Sequence, residues 1–173
     1  MELKDFITGV LGGLPRALHV ALDGATAEQL VQRPGEQSNS IAWLVWHLTR
    51  VQDRLISDLA SREQAWLADG WHSKFGRPAD PMDTGMGCTP DDVLSIRPES
   101  PGLLLDYYDA VFKRSAEYIQ GLSPADLDRQ LDPNNPEATV GFRLRICILD
   151  NAQHAGQAAY LRGLIENRRV YPS

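Results

Sequence analysis

The amino-acid sequence predicts an all-α fold: one domain over residues 1–173, built as a four-helix bundle with a long loop between helices 2 and 3. Four segments repeat apolar residues every three or four positions, which is the spacing of an amphipathic helix. No segment of useful length alternates apolar and polar residues as a strand would. The chain has 173 residues, of which 43% are hydrophobic, so it can bury a substantial core.

The first two predicted helices follow from apolar stripes with recognisable starts. The first covers Leu3–Leu22, and we expect a bend where two glycines and Pro15 interrupt the pattern. The second covers residues 40–66, and Ser40 is one of its N-cap candidates because a serine oxygen can accept from the first free backbone N–H groups. One face of each helix is therefore expected to pack against the core.

The last two predicted helices are marked by residues typical of helix ends. The third begins at Pro101, after Ser100 as its cap, and should stop at Gly121. The fourth covers residues 140–167, with Thr139 as its cap. These boundaries leave four helices long enough to form the bundle.

The connections between the helices differ greatly in length. Residues 69–99 are rich in Gly, Pro, Asp and Met and predict a long irregular loop, in which residues 89–92 could cap one short helix. Shorter helical turns are expected to open at Thr26 and at Ser123.

Composition argues against several classes of protein. The net charge is −6, and the basic residues are scattered, which disfavours a nucleic-acid partner. No apolar stretch is long enough to span a membrane, and the first residues lack the pattern of a signal peptide. Two cysteines, Cys88 and Cys147, do not make a disulfide framework. We therefore expect a cytoplasmic protein with no membrane partner.

A candidate metal site emerges from the positions of three polar residues on the predicted core helices. Asp150 and His154 lie four residues apart, hence on one face of the fourth helix. His47 flanks the apolar stripe of the second helix and could face them across the bundle. Two imidazoles and one carboxylate suit a catalytic zinc ion with an open position, and Fe(II) or Ni(II) would accept the same ligands.

The spacing alone leaves another interpretation open. A histidine beside an apolar stripe is usually a core residue bonded to a neighbour, and an Asp–His pair four apart usually makes a hydrogen bond on a helix surface.

Several other kinds of site are disfavoured because their motifs are absent: the H-E-x-x-H zinc motif, paired Glu-x-x-His di-iron ligands, a Gly-rich phosphate loop and the G-x-S-x-G elbow.

Longer sequence strings narrow the interpretation. W-L-V-W-H-L-T-R-V-Q-D-R, residues 43–54, resembles the second helix of the DinB/YfiT-like superfamily, and D-N-A-Q-H-A-G-Q-A-A-Y-L-R-G-L, residues 150–164, resembles its last helix. G-W-H-S-K-F-G, residues 70–76, is similar to a connection in the actinobacterial branch, which includes mycothiol S-transferases and maleylpyruvate isomerase-like enzymes.

This resemblance implies an up-down-down-up bundle that holds a divalent metal with three residues. His47 matches the first histidine of the family pattern, and His154 matches the last. Asp150 occupies the middle position, where most relatives carry histidine and the maleylpyruvate isomerase branch carries glutamate. The resemblance therefore implies that Asp150 is the third ligand, through a shorter side chain than glutamate.

The function implied by the resemblance is that of a metal-dependent thiol S-transferase in detoxification. Mycothiol or a related low-molecular-weight thiol would be activated at the divalent metal, most often zinc, for conjugation to an electrophile. A thiol has an ordinary pKa of about 8.5, so a cation that favours the thiolate would supply the nucleophile. Two alternatives are a hydrolase that uses metal-bound water and a non-catalytic stress protein with a structural metal. The resemblance also allows a homodimer.

Five further residues are candidates for binding the thiol or its electrophile. Arg50 and Arg54 could meet carboxylates of a thiol cofactor or an acidic substrate, although a solvated helix face would equally explain them. Gln157 could support the last ligand or line the cavity, Trp43 could form a pocket wall or pack in the core, and His72 could reach the site from the long loop.

Overall fold

The computed structural model of the protein describes residues 2–170, and no β-strand occurs among them. The all-α prediction is therefore confirmed. The helices are α1 (Leu3–Leu22), α2 (Ala27–Val31), α3 (Ile41–Leu59), α4 (Ala65–Ala68), α5 (Trp71–Lys74), α6 (Pro90–Ser95), α7 (Pro101–Gln120) and α8 (Val140–Glu166), with a 3-10 helix at Pro124–Asp128.

The four long helices pack against one another in pairs. Helix α3 lies against α8 and α7, and α1 lies against the same two helices. One cluster of buried residues includes Trp46 and Leu48 of α3 together with Ala158 of α8. A second cluster, with Ile56 and Cys147 among its members, continues the core between the same two helices. The α3–α8 contact thus runs through the core, and it brings the predicted ligands together.

The predicted starts of the helices agree with the structure. Ser40 caps α3 by accepting from the Trp43 backbone N–H at 3.2 Å, and Thr139 caps α8 by accepting from that of Phe142 at 3.2 Å. Each such cap is worth about 1 kcal/mol. Ser100 occupies the N-cap position of α7, but its side chain makes no capping hydrogen bond.

The end of the second long helix differs from the sequence prediction. Helix α3 ends at Leu59, seven residues before the predicted end at Trp66. Ser61 has a positive φ of 50°, and the chain folds back so that the Asp53 carboxylate accepts from the backbone N–H groups of Ala65 and Trp66. Asp53 thereby caps a new short helix, α4, and the prediction of one long helix over residues 40–66 was wrong.

The segment between α3 and α7 is more ordered than a structureless loop. The helix predicted to begin near residues 89–92 is present as α6, capped by Thr89. Helix α5, within the predicted irregular stretch, was not foreseen. Helix α1 covers the predicted range Leu3–Leu22 and continues through Pro15. Helix α7 ends with Gly121 as its C-cap, as predicted. Within residues 2–170 we find no helix with the length and apolar character that crossing a bilayer requires.

Candidate metal centre

The three predicted ligands meet between α3 and α8. His47 comes from α3, and Asp150 and His154 come from successive turns of α8. Asp150 Oδ1 lies 3.6 Å from His47 Nε2 and 3.5 Å from His154 Nε2, and all three ligand atoms lie within 4.8 Å of one another. In the described part of the chain, this is the one group of His, Cys, Asp or Glu residues that could hold a metal ion.

The second nitrogen of each imidazole has a hydrogen-bond acceptor. His47 Nδ1 lies 2.5 Å from the backbone carbonyl of Thr84, and His154 Nδ1 lies 2.7 Å from Gln157 Oε1. A carbonyl oxygen can only accept, so Nδ1 carries the proton in both rings. The Nε2 lone pair of each neutral ring is then directed at Asp150. Metal-ligating histidines in proteins are oriented in this way by their outer partners.

The environment of Asp150 fits a cation. Its side chain is only 21% exposed, and its Oδ2 atom is buried without a hydrogen-bond partner among the described residues. A buried carboxylate oxygen without a partner is unfavourable unless something else satisfies it. Two Nε2 lone pairs facing the same carboxylate would also repel it. A divalent cation among these atoms would remove both problems, so this donor set fits a metal of the zinc type.

The ionisation of the site reflects the same attraction for positive charge. When the His154 ring is protonated, its Nε2–H faces the Asp150 carboxylate, and this hydrogen bond raises the pKa of His154 against the opposing effect of burial. Burial raises the pKa of Asp150, but the attraction of His154 and His47 in their protonated forms outweighs it and holds that pKa below its usual value. The site therefore stabilises a carboxylate together with positive charge beside it.

Trp43 holds the His47 ring from one side. The two rings are stacked, with centroids 4.5 Å apart and planes inclined by 7°. The same indole meets the His154 ring edge-on at 6.1 Å. Trp43 is buried and packs against both imidazoles, which is the core-packing role.

Gln157 is the other secondary candidate that the structure brings to the site, because it binds His154. The remaining three lie elsewhere. His72 is on α5, where its ring meets Trp66 and its Nδ1 contacts the Ser73 hydroxyl. Arg54 lies on α3, partly exposed and outside the ligand group.

Arg50 is fully buried rather than directed at the site. All five N–H groups of its guanidinium donate to protein acceptors, so none is left for a substrate. The acceptors are the backbone carbonyls of Asp83 and Pro81, the Asp53 carboxylate, the Tyr107 hydroxyl and the Gln64 side-chain oxygen.

Sequence reasoning missed the contribution of Thr84. This residue acts through its backbone carbonyl, which every residue has, so no side-chain pattern could have identified it.

Residues 11–158 match the family model of the DinB superfamily, and this range contains all three candidate ligands. The chain belongs to the DinB superfamily. This superfamily is metal-binding, in agreement with the donor set described above. The DinB-like chain is also similar to the crystal structure of a conserved protein from Enterococcus faecalis, with a TM-score of 0.89 and 26% sequence identity over 97% of this chain and 99% of that one. No curated protein matches it.

Proposed function

We propose that this DinB superfamily protein is a metal-dependent thiol S-transferase of the mycothiol-dependent branch. His47, Asp150 and His154 would hold one divalent ion, zinc in the first place and nickel or iron as alternatives. The observation that carries the proposal is the convergence of two Nε2 atoms and one carboxylate oxygen, while each Nδ1 is occupied by a separate acceptor. The cosubstrate would be mycothiol or a related thiol, and the second substrate an electrophile.

The charge of the ligand set supports activation of an anionic nucleophile. Two neutral imidazoles and one carboxylate contribute a single negative charge, so a divalent ion would retain net positive charge. That charge would lower the pKa of a nearby thiol and favour the thiolate. In the Nδ1–H tautomer that Thr84 and Gln157 favour, the Nε2 lone pair of each ring is available to the ion.

The protein's own cysteines are poorly suited to act as the nucleophile. Cys147 is fully buried on α8, and burial raises the pKa of its thiol to about 12. Burial also raises the pKa of Cys88. A buried thiol with a raised pKa is a weak nucleophile at neutral pH. These properties favour a nucleophile that enters with a bound molecule.

The proposed reaction is a substitution at an electrophilic carbon. The thiol gives up its proton to solvent, its sulfur forms a bond to the carbon, and the leaving group departs with the electron pair of the broken bond.

We further propose that the four long helices form an up-down-down-up bundle, which is supported by the packing of α3 and α1 each against α7 and α8. We also propose that its partners are small molecules, a thiol and an electrophile, and that the protein is cytoplasmic.

Metal content is the first test. Protein prepared without a histidine tag should contain near one equivalent of a divalent metal, and His47→Ala and Asp150→Ala should lose most of it. Two matched controls should keep it: His72→Ala, outside the ligand group, and His19→Ala, which breaks an exposed His–Asp pair with a 3.0 Å contact to Asp109. Full retention of metal in both site variants would refute the assignment of the ligands.

Thiol dependence is the second test. Metal-loaded protein is mixed with a chromogenic aryl halide and a panel of thiols that includes mycothiol, glutathione and cysteine. Turnover that requires a thiol, and is lost in His47→Ala but not in His72→Ala, is the expected result. Turnover of an ester or amide without any thiol would overturn the transferase proposal in favour of a hydrolase at the same site.

A further inference from the structure

A short loop segment passes over α3 beside His47. It comprises residues 81–85, and we call it the strap. The Thr84 carbonyl of the strap accepts from His47 Nδ1, and Thr84 is only 3% exposed. The position of a backbone carbonyl depends on the course of the chain around it. The orientation of the His47 ring therefore depends on whatever holds the strap in place.

Two hydrogen bonds from Arg50 hold the strap in place. It lies one helical turn after His47 on α3, and its Nε donates to the Asp83 carbonyl at 2.9 Å. Its Nη2 donates to the Pro81 carbonyl at 3.1 Å. These two carbonyls belong to residues one and three positions before Thr84, so the guanidinium fixes the strap at two points close to the acceptor of His47.

The guanidinium is itself fixed by three other groups. Its Nη1 donates to Asp53 at 3.3 Å and to the Tyr107 hydroxyl at 3.1 Å, and its Nη2 donates to Gln64 at 2.9 Å. Gln64 in turn donates to the Pro81 carbonyl at 3.2 Å. Because these partners come from α3, α7 and the segment before α4, the Arg50 side chain has one defined orientation.

The far end of the strap is fitted against two tryptophans. Gly85 has a positive φ of 82°, and a Cβ atom there would lie 2.8 Å from the Trp46 ring and 3.1 Å from Trp43 Nε1. Contacts that short are not tolerated, so only glycine allows the strap to lie this close. Trp43 is the same side chain that stacks on the His47 ring.

We infer that Arg50 is a positioning residue for the metal centre: it holds the strap so that the Thr84 carbonyl keeps His47 in the Nδ1–H tautomer, with Nε2 directed at Asp150 and His154. This inference rests on the proposed metal site, although the tautomer is a property of the metal-free protein and is measured without it. This positioning role also explains why Arg50, one turn from a ligand, is fully buried and donates every guanidinium N–H to a protein acceptor.

The test compares two variants of the strap with two matched controls. Arg50→Lys keeps the positive charge but has three donors on one nitrogen in place of five on three nitrogens, so it cannot serve all five acceptors of Arg50 or hold the two strap carbonyls at their present spacing. Gly85→Ala leaves Arg50 intact and pushes the strap away from the tryptophans. Arg162→Lys alters another buried arginine, bonded to the Asp23 carbonyl, and Gly24→Ala alters another positive-φ glycine with open space around it.

The primary readout is the long-range ¹H–¹⁵N spectrum of the imidazoles in metal-free protein at alkaline pH, with His47→Ala assigning the His47 signals. Wild type and both controls should show a single Nδ1–H tautomer for His47, whereas Arg50→Lys and Gly85→Ala should show a mixture. The second readout is zinc affinity by chelator competition, which should fall about 10- to 100-fold in the two strap variants alone.

Unchanged tautomer and unchanged zinc affinity in the folded strap variants would overturn the inference. If Arg50→Lys does not fold, the comparison of Gly85→Ala with Gly24→Ala decides the question. If the wild type binds no metal, the proposed function fails, while the tautomer comparison still decides the role of Arg50.

Discussion

Two adjacent buried tyrosines on α7 provide a sharp test of the network that supports the strap. Tyr107 and Tyr108 are both fully buried, yet their hydroxyl groups differ. The Tyr107 hydroxyl donates to Asp53 at 2.9 Å and accepts from Arg50 at 3.1 Å. The Tyr108 hydroxyl is buried with no hydrogen-bond partner within the described residues. The substitution Tyr→Phe at each position therefore removes the same atom from opposite environments.

The expected free-energy changes have opposite signs. Tyr107→Phe removes two hydrogen bonds to charged partners and leaves one buried donor of Arg50 unsatisfied, which should destabilise the protein by about 2–3 kcal/mol. Tyr108→Phe removes a hydroxyl that is desolvated without compensation, so it should be neutral or stabilise the fold by about 1 kcal/mol. Neither change leaves a large cavity, because the rings remain.

Urea denaturation followed by circular dichroism measures both effects. With a slope of about 2 kcal/mol per molar urea, Tyr107→Phe should lower the midpoint by about 1 M, and Tyr108→Phe should leave it unchanged or raise it. The slope should be the same in all three proteins, so that the midpoints report stability. Equal midpoints for the two variants would refute the reasoning, since the buried network around Arg50 would then contribute nothing to the stability of the fold.

Three further predictions concern the site itself. Asp150→His should keep near one equivalent of metal by elemental analysis, because imidazole is itself a zinc ligand, and loss equal to that in Asp150→Ala would contradict it. Asp150→Asn should lower the pKa of His154 in metal-free protein, measured by NMR titration, because the hydrogen bond to Asp150 is the main cause that raises it and burial acts the other way; an unchanged titration would show that the pair is not coupled. Cys88→Ser should retain thiol-dependent turnover in the aryl halide assay, and its loss would point to a protein nucleophile instead.

Much of the fold was accessible to sequence reasoning because it depends on local signals. Ser40 and Thr139 mark the starts of α3 and α8 through hydrogen bonds to residues three positions later. The pairing of Asp150 with His154 follows from helix periodicity, and these features need no knowledge of distant parts of the chain. The meeting with His47 across the bundle was only one possibility from the apolar stripes, and the family resemblance was needed to favour it.

The end of α3 depends on a contact that periodicity does not reveal. The apolar pattern continues to Trp66, but the buried Asp53 carboxylate accepts from the backbone N–H groups of Ala65 and Trp66 and draws the chain back on itself. In a continuous helix those two N–H groups would donate to carbonyls four residues earlier and would not reach Asp53. The prediction failed because a side-chain acceptor in the core replaced the helical one.

Arg50 shows why the surroundings of a site are harder to predict than its ligands. From sequence, an arginine one turn after a metal ligand suggests a substrate contact, since both side chains share a helix face. Whether it meets substrate or protein depends on the strap, which lies some 30 residues further along the chain and offers only backbone carbonyls. Ligand positions require specific side chains and leave a trace in the sequence. The carbonyls that orient those ligands do not, so the residue holding them in place is recognised only once its five hydrogen bonds are seen.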